Sequence, residues 1–299
     1  MKLTEAPRFS IVIPTYNRPE QLAVCLQACA RLDYPRDRFE VIVVDDGGAT
    51  PLAEVVARFH GALTLTLLQQ ENAGPAAARN RGASEAAGEF LAFTDDDCAP
   101  ASDWLKALGR ECVAFPDCAV GGRTVNALTH NPYSAASQLL ISYLFSFYNA
   151  SPYNARFFPS SNLAFPAKQF HAVGGFDVTY PRAAAEDREL CDRWLHLGHR
   201  MISAPEAVVY HAHALTFRTF LRQHFYYGQG AFCFHRVRAR RLQDRVKVEP
   251  LTFYVNMLRY PFVSAQGGQA PLLMLLLVVT QVANAAGFFW QRVKGAARK

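Results

Sequence analysis

The chain has 299 residues, 51% of them hydrophobic and 19% charged, with a formal net charge of +6. That length holds one large α/β domain or two modest ones, and the composition excludes a disordered tail, a collagen-like fibre and a low-complexity repeat. The positive balance admits a phosphate-bearing substrate, nucleic acid or an acidic membrane as partner without choosing among them.

The first half alternates strand and helix patterns at short intervals. Phe9–Pro14 is an apolar, β-branched run and reads as a buried strand. Glu20–Arg31 follows with Leu22, Cys25, Leu26 and Cys29 at helical spacing. Phe39–Val44 reads as a second buried strand, Leu52–Phe59 as a short helix and Leu63–Leu68 as a third strand. Pro75–Ala87 reads as a helix with proline in its first turn, and Phe90–Thr94 as a fourth strand. Continuous apolar strands separated by helices predict a parallel sheet covered on both faces, with ligands beyond the carboxyl ends of the strands.

The second half is less regular. Ser102–Ala114 and Ser134–Tyr148 read as helices, "SSNLAFP" and "VGGFD" as a strand, short helix and Gly-rich turn, and Glu186–Leu197 as an amphipathic helix. A last strand, Ala207–Tyr210, leads to His211 and His213. Arg236, Arg238, Arg240, Arg241, Arg245 and Lys247 then form a basic stretch. Ala270–Trp290 is a largely apolar run of 21 residues. As a helix it reaches roughly 30 Å, the thickness of a hydrocarbon core. Trp290 and the tail Arg292, Lys294, Arg298 and Lys299 suit an interface anchor. A helix against an anionic membrane and a helix packed on the domain both fit this run. The basic stretch lacks the interleaved aromatics of a nucleic-acid module, so no nucleic-acid partner is expected.

Seven scattered cysteines form no C-x-x-C pair, which fits a reducing compartment rather than a disulfide framework. No apolar run precedes Phe9, so no cleaved signal peptide is expected.

Three strands end in chemically able residues: "PTYNR", "DDGG" and "TDDD". The adjacent carboxylates Asp95, Asp96 and Asp97 repel one another unless a cation sits among them. Mg²⁺ or Mn²⁺ binds such a group together with substrate phosphates. Asp45 and Asp46 suit ribose hydroxyls or a base N–H, and equally suit a tight turn with the glycines that follow. Arg79 and Arg81 in "NAGPAAARNRG" can meet a planar or phosphate group. Glu186-Asp187 opens a helix, where the dipole favours a carboxylate and where Asp187 can serve as general base. No G-x-G-x-x-G or G-x-x-x-x-G-K-[ST] turn is present, which excludes a dinucleotide dehydrogenase and a P-loop NTPase.

In order, "SIVIPTYNRPEQL", "FEVIVVDDGG", "NAGPAAARNRG", "FLAFTDDDC", "SSNLAFP…VGGFD" and "AEDRELCDRWLHLG" resemble the family 2 glycosyltransferases, from about Phe9 to about His213. The resemblance implies the α/β GT-A fold, a Rossmann-like mixed sheet covered by helices on both faces. Together with the composition shift near position 235, it divides the chain into a glycosyltransferase domain, 1–235, and a basic and apolar helical, membrane-associated extension, 236–299. The domain comprises a nucleotide-sugar half, 9–115, and an acceptor and base half, 116–235. It implies inverting transfer of one sugar from a UDP-, dTDP- or GDP-sugar to a hydroxyl of a glycan, lipid-linked or small-molecule acceptor, in cell-surface polysaccharide or glycolipid synthesis. The alternative is an inactive sugar-nucleotide binder. By the same resemblance Pro14, Thr15, Tyr16, Arg18, Asp45, Asp46, Arg79, Asp95 and Asp96 meet the nucleotide. Asp95, Asp97 and His211, with His213 as alternate, hold Mg²⁺ or Mn²⁺. Asp187 is the base, and Asn162, Glu186 and Trp194 contact acceptor or donor sugar. The processive synthases' Q-x-x-R-W segment is not matched, since Arg193-Trp194 lies only six residues past Asp187 and Leu190 stands where Gln is needed. A catalytic domain at the cytoplasmic face of the membrane is the expected location.

Overall fold

A computed structural model describes residues 6–180, 184–243, 249–264 and 268–296. The expected Arg245, Lys247, Arg298 and Lys299 lie outside them. Strands β1 (Phe9–Thr15), β2 (Phe39–Asp45), β3 (Leu65–Gln69) and β4 (Phe90–Phe93) form a parallel block in the order β3-β2-β1-β4. Helices α1 (Pro19–Cys29), α2 (Ala53–Ala57) and α3 (Pro75–Ser84) connect them. These are the elements that the apolar runs predict. β1 shows why both faces must be covered: Ile11 and Ile13 join one buried cluster with Leu22, Leu26, Trp104 and Leu108, while Val12 joins another with Leu91, Phe93, Phe165 and Trp194.

The remaining elements are β5 (Cys98–Pro100), α4 (Trp104–Ala114), β6 (Ala119–Asn126), α5 (Pro132–Tyr148), β7 (Leu163–Pro166), α6 (Ala167–Ala172), α7 (Glu186–His196) and β8 (Met201–His211). They extend the sheet to eight strands, β3-β2-β1-β4-β7-β6-β8-β5, in which β7 is antiparallel to both β4 and β6. The sheet is therefore mixed. β5, β6 and the first half of β8 carry no strand signal in the sequence. Within β6, Gly121 and Gly122 interrupt the apolar pattern because there is no room for a side chain: a Cβ on Gly121 would lie 2.0 Å from the Phe158 ring.

The C-terminal part consists of α8 (Phe217–Leu242), α9 (Leu251–Ser264) and α10 (Ala270–Ala296). α8 is continuous through residue 235, so the expected domain boundary falls inside one helix. Two residues of the expected basic stretch are committed within the fold. Arg241 pairs with Glu189 and, at 2.8 Å, with Asp192, and Arg238 reaches Asp192 at 3.0 Å, fastening α8 to α7.

α10 lies alongside α8 at a distance set by glycine. A Cβ on Gly228 would sit 2.0 Å from the Asn284 carbonyl oxygen, and one on Gly287 1.9 Å from that of Phe225. The predicted outcome is that Gly228→Val destabilises the fold by at least the ~1–3 kcal/mol typical of overpacking and so lowers the thermal midpoint. Gly61→Ala, where an added Cβ meets nothing within 4 Å, leaves the midpoint in place.

Candidate active site

The parallel register brings three strand ends to one edge, with Thr15 opposite Asp45 and Val12 opposite Phe93. Pro14 and Thr15 are buried within β1, so this stretch first meets solvent at Tyr16 and Arg18. Asp45 is buried and accepts the Gly48 N–H at 2.9 Å. Asp46 accepts from Gln70 Nε2 at 2.7 Å, from the Ala73 and Gly74 N–H groups at 2.9 Å each and from Asn72 Nδ2 at 3.2 Å. Those bonds fill a carboxylate's roughly four acceptor positions. Asp46 therefore orders the turn into α3, which corrects the expectation of a nucleotide contact.

The three consecutive aspartates divide their work. Asp96 points inward: its Oδ2 accepts the Thr15 hydroxyl at 2.8 Å and its Oδ1 the Arg18 Nη1 at 3.1 Å. Burial pushes Asp96 up to about 6 against the opposing pull of Arg18 and Thr15. Asp97 also meets Arg18 Nη1 at 3.1 Å, and its Oδ1 lies 3.2 Å from His211 Nε2. Burial alone raises the Asp97 carboxyl, but His211 and Arg18 outweigh it and hold the group well below the usual carboxylate range.

Asp95 turns the other way, to Arg79. That guanidinium is buried, donating from Nη2 to Asp95 Oδ1 at 2.7 Å and from Nη1 to Glu186 Oε1 at 3.0 Å, with its carbon 5.4 Å from the Phe176 ring centre. Burial disfavours its charge, yet Asp95 and Glu186 more than restore it. Arg79 thus acts as a brace between the aspartate turn and the start of α7. Glu186 is buried as well, and its second oxygen accepts the Ala184 N–H at 2.7 Å, so this carboxylate is taken up by Arg79 and the backbone just before Asp187, although the residue lines the cavity.

Asp187 lines the cavity. Ala185, just before α7, adopts a left-handed φ of 73°, a conformation that costs a non-glycine residue about 1–2 kcal/mol. Burial and the neighbouring Glu186 push the Asp187 carboxyl up to about 7, while the Arg188 N–H at 2.7 Å and Arg79 pull the other way. A carboxylate poised near neutrality suits proton abstraction.

Two expected sugar contacts lie elsewhere. Asn162 is fully buried, accepts the Trp104 indole N–H at 2.8 Å and donates to the carbonyls of Arg123 and Ala207. Trp194 is equally buried, 4.9 Å from the Phe165 ring, with its N–H on the Arg200 carbonyl at 2.9 Å. Both are core residues, and the motif spacing that marks them reflects packing.

Arg79, Asp95, Asp187, His211 and His213 line one cavity of about 630 Å³. Residues not anticipated from the sequence line it too, including Gln223, Tyr227, Ala231 and His235 from α8. Their i, i+4 spacing marks one helix face, a signal that requires knowing the segment is a helix. Single ligand atoms of Asp97, His211 and His213 lie within 4.8 Å of one another, as do those of Asp95, Asp97 and Cys98. A carboxylate with two imidazoles fits Mn²⁺ better than Mg²⁺, which prefers oxygen alone. Burial, with His211 beside it, holds His213 down to about 4, whereas at His211 burial is outweighed by Asp97 and the group is raised, so a cation bound there takes the place of the His211 proton.

The chain is similar to several known glycosyltransferases. Glycosyltransferase AglE of Haloferax volcanii is 38% identical over 102 residues, 33% of this chain and 34% of that protein. Pre-mycofactocin glycosyltransferase of Mycobacterium tuberculosis is 31% identical over 230 residues, 74% of this chain and 46% of that protein. The chain thus matches less than half the length of either. The mannosyltransferase PcManGT from Pyrobaculum calidifontis, solved in complex with GDP-Man and Mn²⁺, superposes with a TM-score of 0.63 at 24% identity. That superposition covers 98% of this chain and 81% of the other. Residues 10–174 match Glycosyl transferase family 2, and residues 95–290 match Glycosyl transferase family group 2. With more than half of its length inside the first of these matches, the chain belongs to glycosyl transferase family 2.

Proposed function

We infer that the protein transfers one glycosyl unit, with inversion, from a nucleotide-sugar to an acceptor hydroxyl. The observation that carries this reading is the Arg79 bridge, which holds the aspartate turn and the Asp187 helix on one cavity. In this reading the donor lies along the strand ends, with Tyr16 exposed toward the base and Arg18 toward the diphosphate. The solved relative that binds GDP-Man and Mn²⁺ supports a nucleotide-sugar and a divalent cation here. Asp97, His211 and His213, together with Asp95, are the residues that hold the cation. When bound, it neutralises charge developing on the departing nucleoside diphosphate.

Asp187 takes the proton from the acceptor hydroxyl as that oxygen attacks the anomeric carbon. The bond to the nucleoside diphosphate breaks on the opposite face of the sugar. Glu186 and Arg79 hold Asp187 and Asp95 in place during this displacement, so that the fixed charges are oriented before the reaction. The apolar exposed side of α10 supports docking at an anionic membrane surface, with synthesis of cell-surface glycan or glycolipid as the setting.

The expected test is nucleoside diphosphate release with a panel of UDP-, dTDP- and GDP-sugars. Asp187→Asn is expected to lower kcat by about 10²–10⁴ while donor binding, followed by calorimetry, is retained. Because a base works only when deprotonated and Asp187 is raised to about 7, kcat/KM falls as pH drops below neutrality and levels off above it. Asp97→Ala and His211→Ala each abolish the stimulation of donor binding by Mn²⁺. Asp187→Asn with wild-type turnover contradicts the reading.

A further inference from the structure

The cavity has two chemically different ends. Around the acid cluster it is polar, and two side-chain atoms there, Thr124 Oγ1 and Gln223 Oε1, are buried and find no hydrogen-bond partner among the described residues. A buried polar atom without a partner is costly, and a hydroxyl-bearing ligand supplies what is missing. Beyond Asp187 and the Arg188–Glu249 pair that Tyr148 joins, the lining is mostly apolar: Leu140, Ile141 and Leu144 from α5, Phe253 and Met257 from α9, and Phe288 from α10. The four aliphatic members of that set, Leu140, Ile141, Leu144 and Met257, offer no polar group to a glycan or a nucleotide and suit a hydrocarbon chain.

The apolar end reaches the outside of the molecule. Phe289 lines the cavity and is 58% exposed. On the same helix Leu272, Leu275, Val282, Trp290 and Val293 are exposed as well. α10 is the one helix among the described residues long and apolar enough to cross a membrane. No acidic residue follows Glu249 in the sequence, so this part of the surface does not repel an anionic bilayer. A contiguous apolar surface of this kind marks a membrane or ligand contact. The cavity therefore runs from the proposed base to a surface suited to lipid.

We propose that the acceptor is a membrane amphiphile: its hydroxylated head sits between Thr124, Gln223 and Asp187, and its hydrocarbon chain lies between α5, α9 and α10. This rests on the glycosyltransferase reading only for the role of the head. The chain-binding part stands on the cavity. Leu144 lies on the chain side, away from the aspartate turn, and a larger side chain there closes the passage.

The test uses the full chain and n-alkyl β-glucosides from methyl to decyl, each below its micelle concentration, with binding read by calorimetry. Affinity is expected to rise by about two- to fourfold per methylene. Leu144→Trp and, separately, Ile141→Trp flatten that dependence while binding of nucleoside diphosphate with Mn²⁺ is unchanged. Affinity independent of chain length in the wild type overturns the proposal. So does a dependence that survives in both variants, because it places the alkyl chain on the outer face of α10. Failure of nucleoside diphosphate to bind the wild type counts against the transferase reading alone, since the alkyl series is read without it.

Discussion

One buried guanidinium holds the two working parts of this molecule together. Arg79 sits on α3, in the parallel half of the sheet, and its two terminal nitrogens reach Asp95 after β4 and Glu186 at the start of α7. Those residues are far apart in sequence and come from segments with different packing partners. Removing one member of a buried ion pair leaves the other charged without compensation, at a cost of about 3–5 kcal/mol. The orientation of Asp187 relative to the aspartate turn is therefore held by a strong local constraint in addition to the cluster that packs α7 on the parallel strands.

The same logic governs the rest of the edge. Several carboxylates converge at the strand ends, and each is given a specific partner: Asp96 to Thr15 and Arg18, Asp97 to Arg18 and His211, Asp46 to the turn before α3. The inward orientation of Asp96, within the turn that the Cys98 N–H closes on the Asp95 carbonyl, leaves Asp95 and Asp97 on its other side. Asp187 is the exception. Burial beside Glu186 raises it, whereas His211 and Arg18 depress Asp97. The inferred mechanism uses this difference, giving proton acceptance to Asp187 and cation binding to Asp97.

The parallel half was legible in the sequence because β1, β2 and β4 are buried on both faces and carry apolar runs such as Val41–Val44. The second half was harder to read for identifiable reasons. β6 carries Gly121 and Gly122 where Phe158 and Ala207 approach its backbone, which erases the β-branched signal. α8 mixes aromatic, polar and basic residues because one face lines the cavity, another packs on α10, and Arg238 and Arg241 tie it to α7. Motif order located Asp95, Asp97, Asp187 and His211 around one region. It could not tell that Asn162 and Trp194 share those motifs for packing, or that Asp46 organises a turn, because those distinctions depend on where the side chains point.

The claim that Arg79 couples the two halves is tested most directly by the pH dependence of kcat/KM in Arg79→Met, alongside nucleoside diphosphate affinity in the presence of Mn²⁺. Arg79 lowers the Asp187 carboxyl, so its removal is predicted to move the acidic limb to higher pH. Asp95, released from its partner, is predicted to bind the nucleotide–cation pair more weakly in the same variant. An acidic limb and an affinity both unchanged from the wild type would contradict the account.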